Sequence, residues 1–213
     1  MFRICNSGSD SSSTNFKLNA GGLIYLHDSN ASENVHRFGR VTMGGNAGME
    51  VKWKGVMRFS ELTGVGNLAV SYGNNGNATD TSNIIIDRIV NYTGTISHSN
   101  SNADYRTLTI GNVHQDSGYS AVIGGAGQKG ILSSDFHKTG AGSLDIQVAM
   151  EVNGDLYMNY SGDLSIGTDF AGLSVVGNTR LHYTNETGLI HLGTVTNSAM
   201  LYIDLSGVSQ ETM

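Results

Sequence analysis

The sequence predicts an all-β protein wound as a solenoid, and three observations carry that expectation. Gly, Asn, Ser and Thr supply 29, 20, 24 and 17 of 213 residues, and proline is absent. Gly and Asn are the residues that turn a chain through positive φ, and a chain without proline keeps every ladder donor of its strands. Apolar residues recur at i and i+2 in short runs broken by Gly, Asn, Asp and Ser, the period of a strand with one buried face. Finally, the segment Thr63-Gly64-Val65-Gly66-Asn67-Leu68 returns as Thr139-Gly140-Ala141-Gly142-Ser143-Leu144, an offset of 76 residues. Coils of roughly 20–25 residues, at the small end of structural repeats, place that offset three or four coils apart.

In chain order, residues 1–15 form a polar N-terminal segment or cap whose stretch 6–15 reads NSGSDSSSTN. Residues 16–213 form the coils. Strands are expected at 23–26 (LIYL), around Val35, Phe38, Val41 and Met43, from Val51 to Phe59, at 68–70, at 84–90, at 108–110, at 121–123 and at 131–132. The second half is more regular, with leucines at 144, 156, 164, 173, 181, 189 and 201. Even spacing of short strands fits a sandwich, a barrel or a solenoid, and the internal similarity selects the solenoid. No helix is expected; residues 31–40 allow at most a short turn that Gly39 weakens. Long polar loops are expected at 72–83, 97–106 and 111–130.

Composition excludes several classes. Charged residues make up 14%, too few for a coiled coil, and the chain lacks the Gly-X-Y period of collagen. Cys5 stands alone, so there is no disulfide framework. The net charge of −6 with twelve Lys and Arg argues against a nucleic-acid surface. No apolar run is long enough for a transmembrane helix, and the start of the chain lacks the apolar core of a signal peptide.

Lys138-Thr139-Gly140-Ala141-Gly142-Ser143-Leu144-Asp145-Ile146 resembles the passenger-associated β-strand repeat of bacterial autotransporters, K-T-G-x-G-x-L-x-apolar. Tyr92-Thr93-Gly94-Thr95-Ile96 resembles the aromatic-x-Gly-Thr-Ile element of the same repeat, and residues 62–70 are a copy with Leu62 in place of the lysine. The resemblance implies a right-handed, single-stranded parallel β-helix exported to the cell surface, here as a fragment of a longer passenger. It carries over no catalytic residue, because the repeat is structural. The family's signal peptide and C-terminal translocating barrel have no counterpart in the 213 residues.

Several side chains carry groups capable of chemistry. Seven histidines (27, 36, 98, 114, 137, 182 and 191) lack metal-ligand spacing, although stacking could bring His182 and His191 together. β-Helix lyases and hydrolases need grouped carboxylates with a basic residue. The candidate sets are Asp80 with Asp87 and Arg88, and Asp116 with Asp135 and Lys138. Gly44–48 and 124–127 lack the Lys-Ser/Thr step of a phosphate loop. Trp53, between Lys52 and Lys54, offers one stacking surface. Ser-His-Asp catalysis lacks a G-x-S-x-G elbow. An ice-binding face would need regular Thr-x-Thr, and only Thr93/Thr95, Thr107/Thr109 and Thr194/Thr196 fit.

The expectation is therefore a structural or adhesive surface module, not an enzyme, with no catalytic, cofactor-binding or metal residue assigned. Its partners would be surface glycans or proteins of a host or neighbouring cell, or a second copy of itself; nucleic acid and a membrane span are not expected. Its location would be secreted or on the bacterial cell surface. A carbohydrate-active β-helix enzyme is the alternative.

Overall fold

The computed structural model describes residues 1–5, 10–11, 13–27, 35–52, 55–73, 82–99, 106–124, 129–132, 135–147, 149–152, 155–159, 164–166, 173–175, 179–183, 190–192, 195–197 and 201–204. Those residues contain strands and no helix. The strands are β1 (Phe2–Cys5), β2 (Asp10–Ser11), β3 (Phe16–Asn19), β4 (Leu23–His27), β5 (Val35–Gly44), β6 (Ala47–Lys52), β7 (Val56–Val65) and β8 (Leu68–Gly73). They continue as β9 (Ser82–Ser99), β10 (Arg106–His114), β11 (Ser120–Gly124), β12 (Lys129–Leu132), β13 (Phe136–Thr139), β14 (Ser143–Ile146), β15 (Ala149–Val152) and β16 (Leu156–Asn159). The last are β17 (Leu164–Ile166), β18 (Leu173–Val175), β19 (Thr179–Tyr183), β20 (Ile190–Leu192), β21 (Val195–Asn197) and β22 (Leu201–Asp204).

Among the described residues every strand pairing is parallel, and the pairings form two ladders. The first, sheet A, runs β1, β4, β6, β8, the end of β9, β11, β14, β17 and β20. The second, sheet B, starts with β2 and β3 side by side and continues through β5, β7, the start of β9 and β10. It then divides again into β12 with β13, β15 with β16, β18 with β19, and β21 with β22. Where a rung of sheet B is one long strand, its burial pattern breaks at a bend: Phe38 and Gly39 of β5 are both buried, flanked by exposed Arg37 and Arg40. The chain is thus a β-solenoid of parallel strands, each rung having two segments in sheet B and one in sheet A. The offset from one rung to the next runs from 20 residues (Leu144 to Leu164) to 28 (Leu68 to Ile96).

Inward side chains stack in columns. Ala47, Leu68, Ile96, Ile123 and Ile146 are successive register partners in sheet A, all buried. In sheet B, Phe38, Phe59, Ile86, Ile110 and Leu132 form one such column, and Val41, Leu62, Ile89, Val113 and Lys138 another. Burying a large aliphatic side chain contributes about 1.5–3 kcal/mol, so the columns supply the main cohesion. At the first rungs, Phe16 packs edge-on against Phe2, Phe38 and Phe59 at 5.1, 5.4 and 6.3 Å, covering the end of the core.

Some segments differ from the sequence expectation. Residues 35–40 belong to the ten-residue β5, because Gly39 occupies the bend and does not end the strand. The stretch 111–130, expected as a loop although it overlaps the strand expected at 121–123, contains that strand as β11 together with the end of β10 and the start of β12. Exposed Asn112, Asp116, Ser117 and Ser120 interrupt the apolar pattern there and mask the alternation. Strands β1 and β2 fall within the polar stretch 1–15 and pair with β4 and β5. Loop residues 74–81, 100–105 and 125–128, and Trp53, lie outside the described residues. No helix among the described residues is long and apolar enough to cross a membrane.

Candidate functional site

The repeated T-G-x-G segments are corners between sheet B and sheet A. Leu62 is in register with Ile89, Ile89 with Val113, and Val113 with Lys138, so the 76-residue offset spans three rungs of one column. Gly64 and Gly140 have φ of 99° and 82°, and a Cβ on either would lie 2.2 Å from a carbonyl of the preceding rung. Thus the motif marks a place where backbones meet without room for a side chain.

Polar side chains stitch these corners and the bend within sheet B. Asn46 Oδ1 accepts from the Asn67 amide at 2.9 Å, and Asn67 Oδ1 from the Thr95 amide at 3.0 Å. Asn15 and Asn112 serve Arg40 and His137 in the same way. Buried Gln115 donates to the Tyr92 carbonyl at 2.7 Å and accepts from the Tyr92 amide at 2.8 Å. The Tyr92 hydroxyl donates to the Gly66 carbonyl. Burial raises the Tyr92 pKa, offset in part by a hydrogen bond with the Leu68 backbone. Side chains thereby replace the ladder where the backbone turns away from it.

One corner also assembles a hydroxyl–imidazole–carboxylate chain. Register places His114 beside Thr139, with Nδ1 2.8 Å from Thr139 Oγ1. His114 Nε2 lies 3.3 Å from Asp116 Oδ1. Asp116 Oδ2 accepts from Asn91 Nδ2 at 2.7 Å, and its amide donates to Asn91 Oδ1 at 2.8 Å. The order of groups matches a nucleophile–base–orienter relay. Yet His114 is 43% and Asp116 61% exposed, whereas acyl-transfer chemistry draws its strength from a water-excluded site with aimed donors. The Gly142 amide beside it is engaged by the Gln115 carbonyl. The cluster therefore orders the corner. The hydrogen bond from Asn91 is the largest influence and lowers the Asp116 pKa; desolvation opposes it, and the charge and hydrogen bond of His114 lower the pKa further by smaller amounts. Its contribution to stability is present above the ordinary carboxylate range and is lost as pH falls through the lowered value. In an Asn91→Gly variant, which keeps the φ of 48° accessible, carboxyl NMR should find Asp116 titrating nearer its ordinary value. An unmoved titration would discard Asn91 as the cause.

The other sequence candidates separate. Lys138 is fully buried, and its Nζ donates to the carbonyls of Gly140, at 2.9 Å, and Gly142. It cannot join exposed Asp116 and Asp135 on one face. Asp87 holds Arg58, with Nε 3.0 and 2.9 Å from its two carboxylate oxygens, and this hydrogen bond raises the Arg58 pKa against desolvation. Asp80 lies outside the described residues. His182 is in sheet B opposite Tyr157 and His191 in sheet A opposite Ser165, so stacking does not join them. Among the described residues no three His, Cys, Asp or Glu groups gather as metal ligands. Thr107 and Thr109 face Asn83 and Ile85 in register, so the Thr pair does not continue into that rung.

Two surface features carried no sequence motif. On sheet A, Met1, Leu23, Tyr25, His27, Glu50 and Lys52 line a shallow depression of about 380 Å³, with Lys52 Nζ 5.4 Å from the Tyr25 ring centre. On sheet B, exposed Lys17, Arg37, Arg40, Arg58 and Arg88 share the first four rungs. Their sequence separation hides the grouping.

No protein-family model, curated protein or solved structure matches this chain.

Proposed function

We propose that the chain is a structural or adhesive cell-surface module of an autotransporter-like protein, a stiff spacer that holds loops and faces for contact with surface glycans or proteins. The observation that carries this reading is the continuous parallel register from β1 to β22. A stack tied by two ladders, by inward columns and by Asn, Gln and Tyr side chains at its corners resists bending. Its outward positions are left free to vary for recognition. The corner geometry of Lys138–Gly142 gives the repeat a physical role in such a rod, which agrees with the family resemblance.

Protease added to intact cells that produce the full protein is expected to remove this chain. Beads coated with the purified chain are expected to adhere to cell or glycan-coated surfaces. Degradation only after lysis would defeat the surface location, and adhesion no greater than that of albumin-coated beads would defeat the adhesive role.

A further inference from the structure

We propose that the outer surface of sheet B over its first four rungs binds an acidic polysaccharide, a glycan whose carboxylate or sulfate groups recur along its length. The proposal rests on the adhesive reading and names its partner. Lys17 lies on β3, Arg37 and Arg40 on β5, Arg58 on β7 and Arg88 on β9, and all five are exposed. Glu61 and Asp87 are acids on the outer side of these rungs, and Asp10 is the register partner of Arg37. The surface stays positive on a chain of net charge −6, so it is where an anion is attracted.

The spacing suits a linear polyanion. Arg37 and Arg58 are register partners, one rung or about 4.8 Å apart. Arg40 is in register with Glu61, and the 27-residue offset of β7 to β9 brings Arg88 next in that column. Arg40 and Arg88 are thus two rungs or about 9.6 Å apart, a step of the size of a disaccharide in an extended chain. Four of the five cations are arginines, whose planar forks match carboxylate and sulfate oxygens. Glu61 and Asp87 contact Nε of Arg40 and Arg58, and each guanidinium has two further nitrogens to donate. Thr42, Ser60, Thr63 and Asn83 add hydroxyl and amide groups on the outward side of these rungs.

The same surface argues against other polyanions. Its outward positions on β5, β7 and the sheet-B part of β9 carry no aromatic ring, so nucleic-acid bases have nothing to stack on. Its one large exposed apolar side chain among the described residues, Val65 at the end of β7, falls short of the apolar face that anchors a protein in a bilayer interface.

The test measures binding of the purified chain to immobilised heparin and polygalacturonate over a range of salt. Dextran, single-stranded DNA and phosphatidylglycerol vesicles are measured beside them. Retention by the two acidic glycans and not by dextran is expected, weakening as salt rises. The triple variant Lys17→Ser/Arg37→Ser/Arg88→Ser alters exposed cations outside the ion pairs described above. It should bind about tenfold or more weakly with an unchanged melting temperature, while Lys52→Ser on sheet A binds as the parent does. The single variants are measured too, so a folding defect in the triple variant leaves the comparison intact. No retention, unchanged binding by all variants, or tighter binding to DNA or vesicles overturns the proposal. Beads that still adhere although the chain binds no acidic glycan overturn this proposal alone. Glycan binding without bead adhesion overturns the adhesive reading alone.

Discussion

Replacing Gly94 with alanine is expected to destabilise the solenoid by about 3–5 kcal/mol, at the severe end for one substitution. Gly94 has φ of 144°, a conformation that L side chains rarely adopt, and its Cβ would lie 2.1 Å from the Gly66 carbonyl oxygen. That carbonyl cannot easily withdraw. It accepts the Tyr92 hydroxyl, and the Gly66 amide donates to the Thr93 carbonyl. A Cβ on Gly66 would in turn meet the Gly45 carbonyl at 2.3 Å, so displacement in one rung presses on the next. Gly118 supplies the control. Its φ is 91°, but nothing lies within 4 Å of its would-be Cβ, so Gly118→Ala should cost only the conformational strain of about 1–2 kcal/mol. Urea unfolding of the two variants separates strain from close approach. Equal losses would remove the stacked corner as the explanation.

The second large effect is expected at Lys138. Its column is aliphatic for four rungs, Val41, Leu62, Ile89 and Val113, and then admits a lysine. The stem fills the column while Nζ turns back to the Gly140 and Gly142 carbonyls of its own corner. Lys138→Met keeps most of the volume and removes the donor, which should cost about 1–3 kcal/mol through unsatisfied carbonyls. Lys138→Ala also opens a cavity, and about 3–5 kcal/mol is expected. The order parent, Met, Ala in denaturant midpoint is the signature of a donor plus a packed stem. A methionine variant as stable as the parent would mean that the carbonyls find other partners.

The case of Lys138 shows where the sequence is transparent and where it is opaque. Thr139-Gly140-Ala141-Gly142 announces a corner because glycine at positive φ leaves a local mark. Strands such as β14 and β16 are equally plain, since alternation repeats within four residues. A lysine, by contrast, reads as a surface charge, and grouping it with Asp116 and Asp135 as a catalytic set follows from that reading. Only the register shows that it replaces an inward aliphatic. The pairing of His114 with Thr139 and the gathering of Lys17, Arg37, Arg40, Arg58 and Arg88 escape the sequence for a related reason. Each contact joins residues from different rungs, and nothing near either partner records it.

By itself the sequence determined that the fold is all-β, that Gly- and Asn-rich corners divide it, and that coils of similar length stack with their apolar side inward. Those properties follow from local φ preference and a period of two, which act within a few residues. Tertiary structure alone decided which side chains share a column and a face. Rung offsets vary from 20 to 28 residues, and in a strand a slip of one residue moves a side chain from the core to the surface. The lateral neighbours of every outward residue, and with them the basic surface of sheet B, are therefore fixed only when the rungs lock into register.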